Sequence, residues 1–287
     1  MKYHCPKTFE DAAQIAADAT GIIRYLAGGT DVLVQMRAGM VTPDDMIDLK
    51  HIPGVKDIVK NADGSWTIGA AVAGAELGAH AEFCADYPGI VEGLELVGST
   101  QVQGRATLTG NLCNGSPAAD SVPAMIAAGA IAHVVGPNGV RDIAVGDIPV
   151  GPGKTSLNKG EIIASLTIPA RNAQGGDAYL RFTPRTEMDI AVVGCAVNLT
   201  LDGDRVATAR VAMGAVAPTV IVLADAADTI IGTTLDTDAL DKLAAVVSAA
   251  VKPISDKRGT AEFRTDVAGV LAKRAAKIAY DRAKGTK

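Results

Sequence analysis

The chain has 287 residues, 48% of them hydrophobic, which is enough for two domains or one large one. A formal net charge of −5 with no basic block argues against a nucleic-acid partner. No run approaches eighteen apolar residues and Met1–Pro6 lacks an apolar signal core, so a cytoplasmic chain with no membrane span is expected.

Thr8 is a candidate N-cap for a helix carrying Ala12, Ile15, Ala16 and Ala19. Ile22, Ile23, Tyr25, Leu26 and Ala27 then read as a short buried strand, which runs into Gly28 and Gly29. Thr30, Asp31, Val32, Leu33 and Met36 follow as the opening of a helix. A strand, a glycine turn and a helix start together present bare backbone N–H groups to an anion, which makes a phosphate ligand the natural candidate. The same arrangement also serves as an ordinary turn. A second short strand, 46–49, ends near Pro53, closing a small α/β unit over residues 1 to about 55.

The next unit opens with a hairpin, Val55–Lys60 and Ser65–Ala70 around Asp63-Gly64. Helices are predicted near 74–82 and 89–97, a glycine-rich stretch over 104–116, and an alanine-rich segment from Pro117 to Gly129. Strands are predicted at 131–136, before a Pro137-Asn138-Gly139 turn, and at 161–168. Residues 172–177 are the best linker candidate. Beyond them 178–185, 191–201 and 205–216 read as an antiparallel meander, and 237–251 and 260–284 as helices. Phe263, Val267, Val270, Leu271, Ala275 and Ile278 make an apolar stripe on the last helix, read as core packing.

Residues 98–120 are dominated by small residues and hydroxyls, with almost no bulky side chain between Gly104 and Asn111. Such a segment lets an extended flat ligand lie against the backbone. Asp120 follows, and a carboxylate is a good double acceptor for ribose or ribityl hydroxyls, or a plain helix cap. Elsewhere the chemistry is thin. Cys5, Cys84, Cys113 and Cys195 lie far apart, as do His4, His51, His80 and His133, so no metal-ligand spacing appears and no metal is expected. Gly151-Pro152-Gly153-Lys154-Thr155 imitates a phosphate loop but has Ile148 where that motif requires glycine, and reads as a surface turn.

Ala27-Gly28-Gly29-Thr30-Asp31, followed about eighty residues later by Ala106-Thr107-Leu108-Thr109-Gly110-Asn111-Leu112-Cys113-Asn114-Gly115-Ser116-Pro117-Ala118-Ala119-Asp120, resembles the FAD-binding subunit of the molybdenum hydroxylases. These are the xanthine dehydrogenase, carbon monoxide dehydrogenase and aldehyde oxidoreductase relatives. Gly160–Ile163, Arg185–Ala191 and Arg258–Arg264 with Lys273-Arg274-Ala275 extend the likeness over essentially the whole chain. The resemblance implies an α+β chain. A two-lobed FAD domain of the vanillyl-alcohol-oxidase type would span 1–174, with lobes of about 1–55 and 56–174. A small α+β domain with a three-stranded antiparallel sheet and helices would span 175–287.

By the same resemblance, Leu26, Ala27, Gly28, Gly29, Thr30 and Asp31 would hold the pyrophosphate. Ala106, Thr107, Gly110, Asn111, Cys113 and Asp120 would line the dinucleotide, with Gly98, Ile162 and Ile163 bordering it. Arg181 stands where the family often places a lysine near the flavin, where its cation would stabilise the reduced, anionic ring. No residue is assigned a catalytic role. The implied partners are a large molybdenum-cofactor subunit, a small iron–sulfur subunit and an external electron acceptor. Two departures stand out. Thr109 replaces a family glycine, and Ile190 replaces a tyrosine carried by some carbon monoxide dehydrogenase relatives, leaving one flavin face open to an acceptor. Two rivals remain: a self-sufficient flavin oxidase, for which no candidate base stands out, and a scaffold that kept the fold without the flavin.

Overall fold

The computed structural model describes residues 1–285; Thr286 and Lys287, with which the expected second domain ends, lie outside the described residues. Three hydrophobic cores organise the chain. The first belongs to the N-terminal lobe. There β1 (Lys2–His4), β2 (Ile23–Leu26) and β3 (Asp45–Asp48) form a parallel sheet with β3 in the middle. Helix α1 (Phe9–Asp18) is capped by Thr8, whose hydroxyl accepts from the Asp11 N–H at 3.1 Å. It buries Ala12, Ala13 and Ala16 against Ile47 of β3 and Ile162 of the neighbouring lobe. Strand β1 is too short to show any periodicity in the sequence. Helix α2 (Val32–Arg37) leaves the glycine turn after β2 and buries none of its residues.

The second lobe is built on an antiparallel sheet of β4 (Ile58–Lys60), β5 (Trp66–Gly69), β6 (Ile131–Gly136), β7 (Gly139–Ala144) and β10 (Ile162–Ile168). Its order is β4-β5-β10-β6-β7. The expected single helix over 74–82 is two, α3 (Gly74–Gly78) and α4 (Ala81–Asp86), because His80 caps a fresh start with its ring nitrogen accepting from the Phe83 N–H. Helix α5 (Pro88–Glu95) covers the core. The glycine-rich stretch is also partly helical, holding α6 (Thr100–Gln103) and α7 (Leu108–Cys113), and α8 (Ser121–Ala128) is almost wholly buried. The phosphate-loop imitation is a hairpin of β8 (Pro149–Gly151) and β9 (Lys154–Thr155), its Gly153 N–H donating to the Gly115 carbonyl at 3.0 Å.

The third core lies under the antiparallel sheet β11 (Gly175–Phe182), β12 (Val193–Asp202) and β13 (Arg205–Gly214), to which the two-residue β14 (Ile221–Val222) adds a short fourth strand. A short helix α9 (Ala224–Asp228) precedes α10 (Thr237–Ala250) and the 23-residue α11 (Ala261–Ala283). The linker expectation is corrected here. Only Asn172–Gln174 are exposed as a connector, whereas Gly176 and Asp177 are buried within β11. Asp177 accepts from the Gly89 N–H at 3.0 Å and from Arg171 at 2.5 Å, ties that a flexible linker would lack. The apolar stripe on α11 is also narrower than expected. Leu271 and Ala275 are buried, but Phe263 and Val270 are exposed, and the packed face continues through Ala268, Ala272, Ala276 and Ala279. Small residues let the helix approach the sheet closely. Strand β11 serves two cores, Ala178 packing in the third and Tyr179 in the second; we propose the boundary between the FAD domain (1–174) and the C-terminal domain (from 175) at its start.

Candidate functional site

The two glycine stretches meet. Gly28 lies against the main chain of Arg105 and Ala106, with no room for any side chain at that position. Gly29 turns the chain with φ +79°, a conformation glycine adopts without strain, and Asp31 starts α2. The Asp31 carboxylate is held at 2.5 Å by Gln35 on its own helix. Among the described residues, no protein acceptor takes the N–H of Gly28, Gly29, Thr30 or Asp31. Four donors of that kind, beside a helix start, suit an anionic group.

Across the contact, Thr107 caps α7 by accepting from the Gly110 N–H at 2.9 Å. Ala106 is buried, and its carbonyl accepts from the Gly74 N–H at 2.8 Å. The Asn111 side-chain oxygen accepts from the Ser121 hydroxyl at 2.8 Å, which fixes the end of α7 against α8. Thr109, the departure from the family glycine, is buried in α7. Cys113, the last residue of α7, is exposed.

Ile162 and Ile163 are buried, the first in the core of the N-terminal lobe and the second in the core of the second lobe. β10 pairs with β6 from Ile162 but with β5 only from Ser165 onward, so its first residues, Ile162 and Ile163, pair with no strand on the β5 side. Gly98 turns with φ +66°, and its carbonyl accepts from Met188 of the second domain at 3.3 Å. Asp120 and Arg181 are brought together at 2.6 Å, each with its side chain almost fully buried. Tyr179 completes the group by donating its hydroxyl to Asp120 at 2.9 Å. Burial raises the Asp120 carboxyl to about 6 in spite of the arginine. Arg181 therefore carries a charge already partnered by protein, and Asp120 has spent both oxygens on its neighbours.

Sequence reasoning missed several participants. The Tyr25 hydroxyl is buried without a partner, and desolvation raises it well above the usual phenol range. Tyr179 was legible only as a strand residue, and the carbonyl of Arg105 has no sequence signal at all. Asp189 is gripped by Arg258 at 2.9 Å and approached by Arg185 at 3.5 Å; mainly through Arg258, its carboxyl is held down to about 2. Ile190 beside it is exposed. The scattered Cys5, Asp48 and His51 do converge, with ligand atoms within 4.8 Å of one another, but Asp48 is occupied by Tyr3 and by Lys50, whose ammonium lies 2.6 Å away.

Two sequence families account for nearly the whole chain. The one described as the FAD binding domain in molybdopterin dehydrogenase matches residues 1–171, and the CO dehydrogenase flavoprotein C-terminal domain matches residues 178–279. The chain belongs to the FAD-binding subunits of the molybdenum hydroxylases. It is similar to the carbon monoxide dehydrogenase medium chain of Afipia carboxidovorans, 34% identical over 98% of this chain and 97% of that one. The xanthine dehydrogenase FAD-binding subunit of Escherichia coli O157:H7 is 30% identical over 95% of this chain and 93% of that one. Among solved structures, a chain of the Cu,Mo-CO dehydrogenase in its cyanide-inactivated form superposes with a TM-score of 0.93 at 33% identity, covering 98% of each chain.

Its cofactor is therefore FAD, and the chain is an oxidoreductase subunit. The residues present fit that group. The open amides of Gly28–Asp31 and the cradle closed by Arg105 and Ala106 lie on segments that meet. Among the described residues, no helix is long and apolar enough to cross a membrane.

Proposed function

We propose that this chain holds FAD between its two glycine stretches and works as the electron outlet of a heteromeric molybdenum hydroxylase. It takes electrons from iron–sulfur clusters on a small partner subunit, which draws them from a large molybdenum-cofactor subunit, and it delivers them to an external acceptor. FAD, when bound, converts between one-electron and two-electron transfers. This chain's own residues supply placement and polarity. The amides of Gly28–Asp31 take the diphosphate, Thr107, Gly110, Asn111 and Cys113 line the dinucleotide, and the main chain of Gly98, Ile162 and Ile163 borders it. Asp120 and Arg181 act as a brace that fixes β11 against the start of α8.

The observation that supports this reading is the seating of Gly28 on the Arg105 carbonyl, which puts the two stretches in contact. Support for the assembly comes from the relatives, since a medium chain and an FAD-binding subunit are by those words parts of larger enzymes. We place the protein in the cytoplasm, where its four unpaired thiols would stay reduced.

The test is to load the purified chain with FAD and mix it anaerobically with the reduced iron–sulfur partner. Bleaching of the flavin absorption band is expected. A band unmoved by the partner but bleached when this chain alone meets an organic substrate would make it a self-sufficient oxidase. A chain that takes up no FAD would be a scaffold.

A further inference from the structure

Strand β1 runs parallel to β3 with His4 opposite Ile47, so the next residue on each strand sets Cys5 beside Asp48. Asp48 then caps a single 3-10 turn, Leu49–His51, and a period of three residues brings His51 back over it. Thiol, carboxylate and imidazole thus converge from two segments, their ligand atoms all within 4.8 Å of one another. His51 Nε2 lies 3.6 Å from Asp48 Oδ2. Two ligands on one tetrahedral zinc, with bonds of about 2.0–2.3 Å, stand roughly 3.3–3.8 Å apart. Only Cys5 has to close in, and it is exposed just past the end of a three-residue edge strand.

The two oxygens of Asp48 divide their work. Oδ1 accepts the Lys50 N–H at 3.0 Å and its ammonium at 2.6 Å, which fixes the carboxylate plane. Oδ2 faces His51 and accepts the Tyr3 hydroxyl. A carboxylate oxygen has two lone pairs, so Oδ2 keeps the phenol proton on one and has the other free for a metal. Ligating carboxylates are commonly held by outer hydrogen bonds of this kind.

We propose that Cys5, Asp48 and His51 bind one zinc ion, which staples the N-terminal strand to the turn after β3. A sulfur, a nitrogen and an oxygen donor suit zinc and not the oxygen-seeking calcium or magnesium. Thiolate and carboxylate together cancel the ion's two charges, Lys50 stays paired with Oδ1, and water takes the fourth position at this exposed rim. No ligand spacing shows in the sequence, because the cysteine comes from a different strand than the Asp48–His51 pair.

The experiment strips the purified FAD-loaded chain of metal with a chelator, then titrates it with Zn2+ by calorimetry and with Co2+ by difference absorption. One equivalent of Zn2+ is expected to bind, and Co2+ is expected to give a thiolate-to-metal charge-transfer band. Cys5→Ser should abolish that band, and Cys5→Ser and His51→Ala should each weaken zinc at least about ten-fold without loss of FAD. Both positions are exposed, so the variants keep the core. Zinc should raise the melting temperature of the wild type and leave that of Cys5→Ser where it was. Cys84→Ser, which removes a thiol elsewhere, is the control and should match the wild type. Zinc uptake that survives Cys5→Ser unchanged overturns the site, as does a wild-type chain that takes up no zinc or a loss shared by the control.

Discussion

Gly28 and Arg105 are separated by 77 positions in the chain and touch in the fold: a β-carbon built on the glycine would lie 2.0 Å from the arginine's carbonyl oxygen. This contact is between protein and protein. A side chain at position 28 would therefore pry the two stretches apart before it met any ligand, and the loss of cofactor would follow from the loss of the cleft.

Gly28→Ala is accordingly expected to destabilise the chain by about 1–3 kcal/mol, the usual cost of overpacking, and to lower FAD occupancy in proportion. Gly104→Ala, in the second stretch, is the control. Its φ is −62°, its nearest non-neighbour is 3.5 Å from an added β-carbon, and it should stay within about 0.5 kcal/mol of wild type. Thermal melts and flavin-to-protein ratios of the two variants check this. Equal behaviour would remove the contact from the account.

The same contact shows how far a sequence can be read. Strand, glycine turn and helix start at 22–36 were legible because residue type alone dictates each step. The Asp-Gly hairpin and the meander after residue 178 were legible because strand periodicity and turn residues agree. Linker 172–177 was misread because glycine, asparagine and glutamine speak for local flexibility, while the burial of Asp177 depends on Arg171 and Gly89, which lie outside the segment. Asp120 reads in the sequence as an acceptor for sugar hydroxyls or a helix cap, and the fold adds contacts from Tyr179 and Arg181, some sixty residues away, that no local pattern shows. In both cases a tertiary partner, invisible to local pattern, decides what a carboxylate does.

Asp120 also makes the fold sensitive to pH. Burial lifts its carboxyl to about 6 from an ordinary 3.8, with Arg181 and Tyr179 pulling the other way. Between those values the folded chain binds the proton more tightly than the unfolded chain, so this group's contribution to stability falls as pH rises from about 4 to 6 and is level above. At 1.36 kcal/mol per unit, wild type should lose up to about 3 kcal/mol relative to Asp120→Asn across that window. Denaturant unfolding of both at pH 4, 5, 6 and 7 measures the difference; parallel curves would show that the carboxyl titrates at its ordinary value.

Asp189 has the opposite sign. Arg258 holds its carboxyl down to about 2, so the tie is fully present above an unfolded value near 4 and is lost only as pH falls through 2. The segment 183–190, which reaches Gly98 through Met188, should stay ordered from pH 5 to 8. Asp189→Asn should release it, with faster tryptic cleavage at Arg185 and faster amide exchange at Ile190, and with little change in global stability. Cleavage unchanged by the substitution would mean that Met188 and Gly98 alone pin the segment.

The most direct measurement is amide hydrogen exchange on the flavin-stripped chain with and without added FAD, read peptide by peptide. Simultaneous protection of 27–33 and 106–113, with half-saturation at the same FAD concentration, is the predicted result. Protection of one stretch without the other, or of neither while FAD binds elsewhere, would contradict a single cleft built from both.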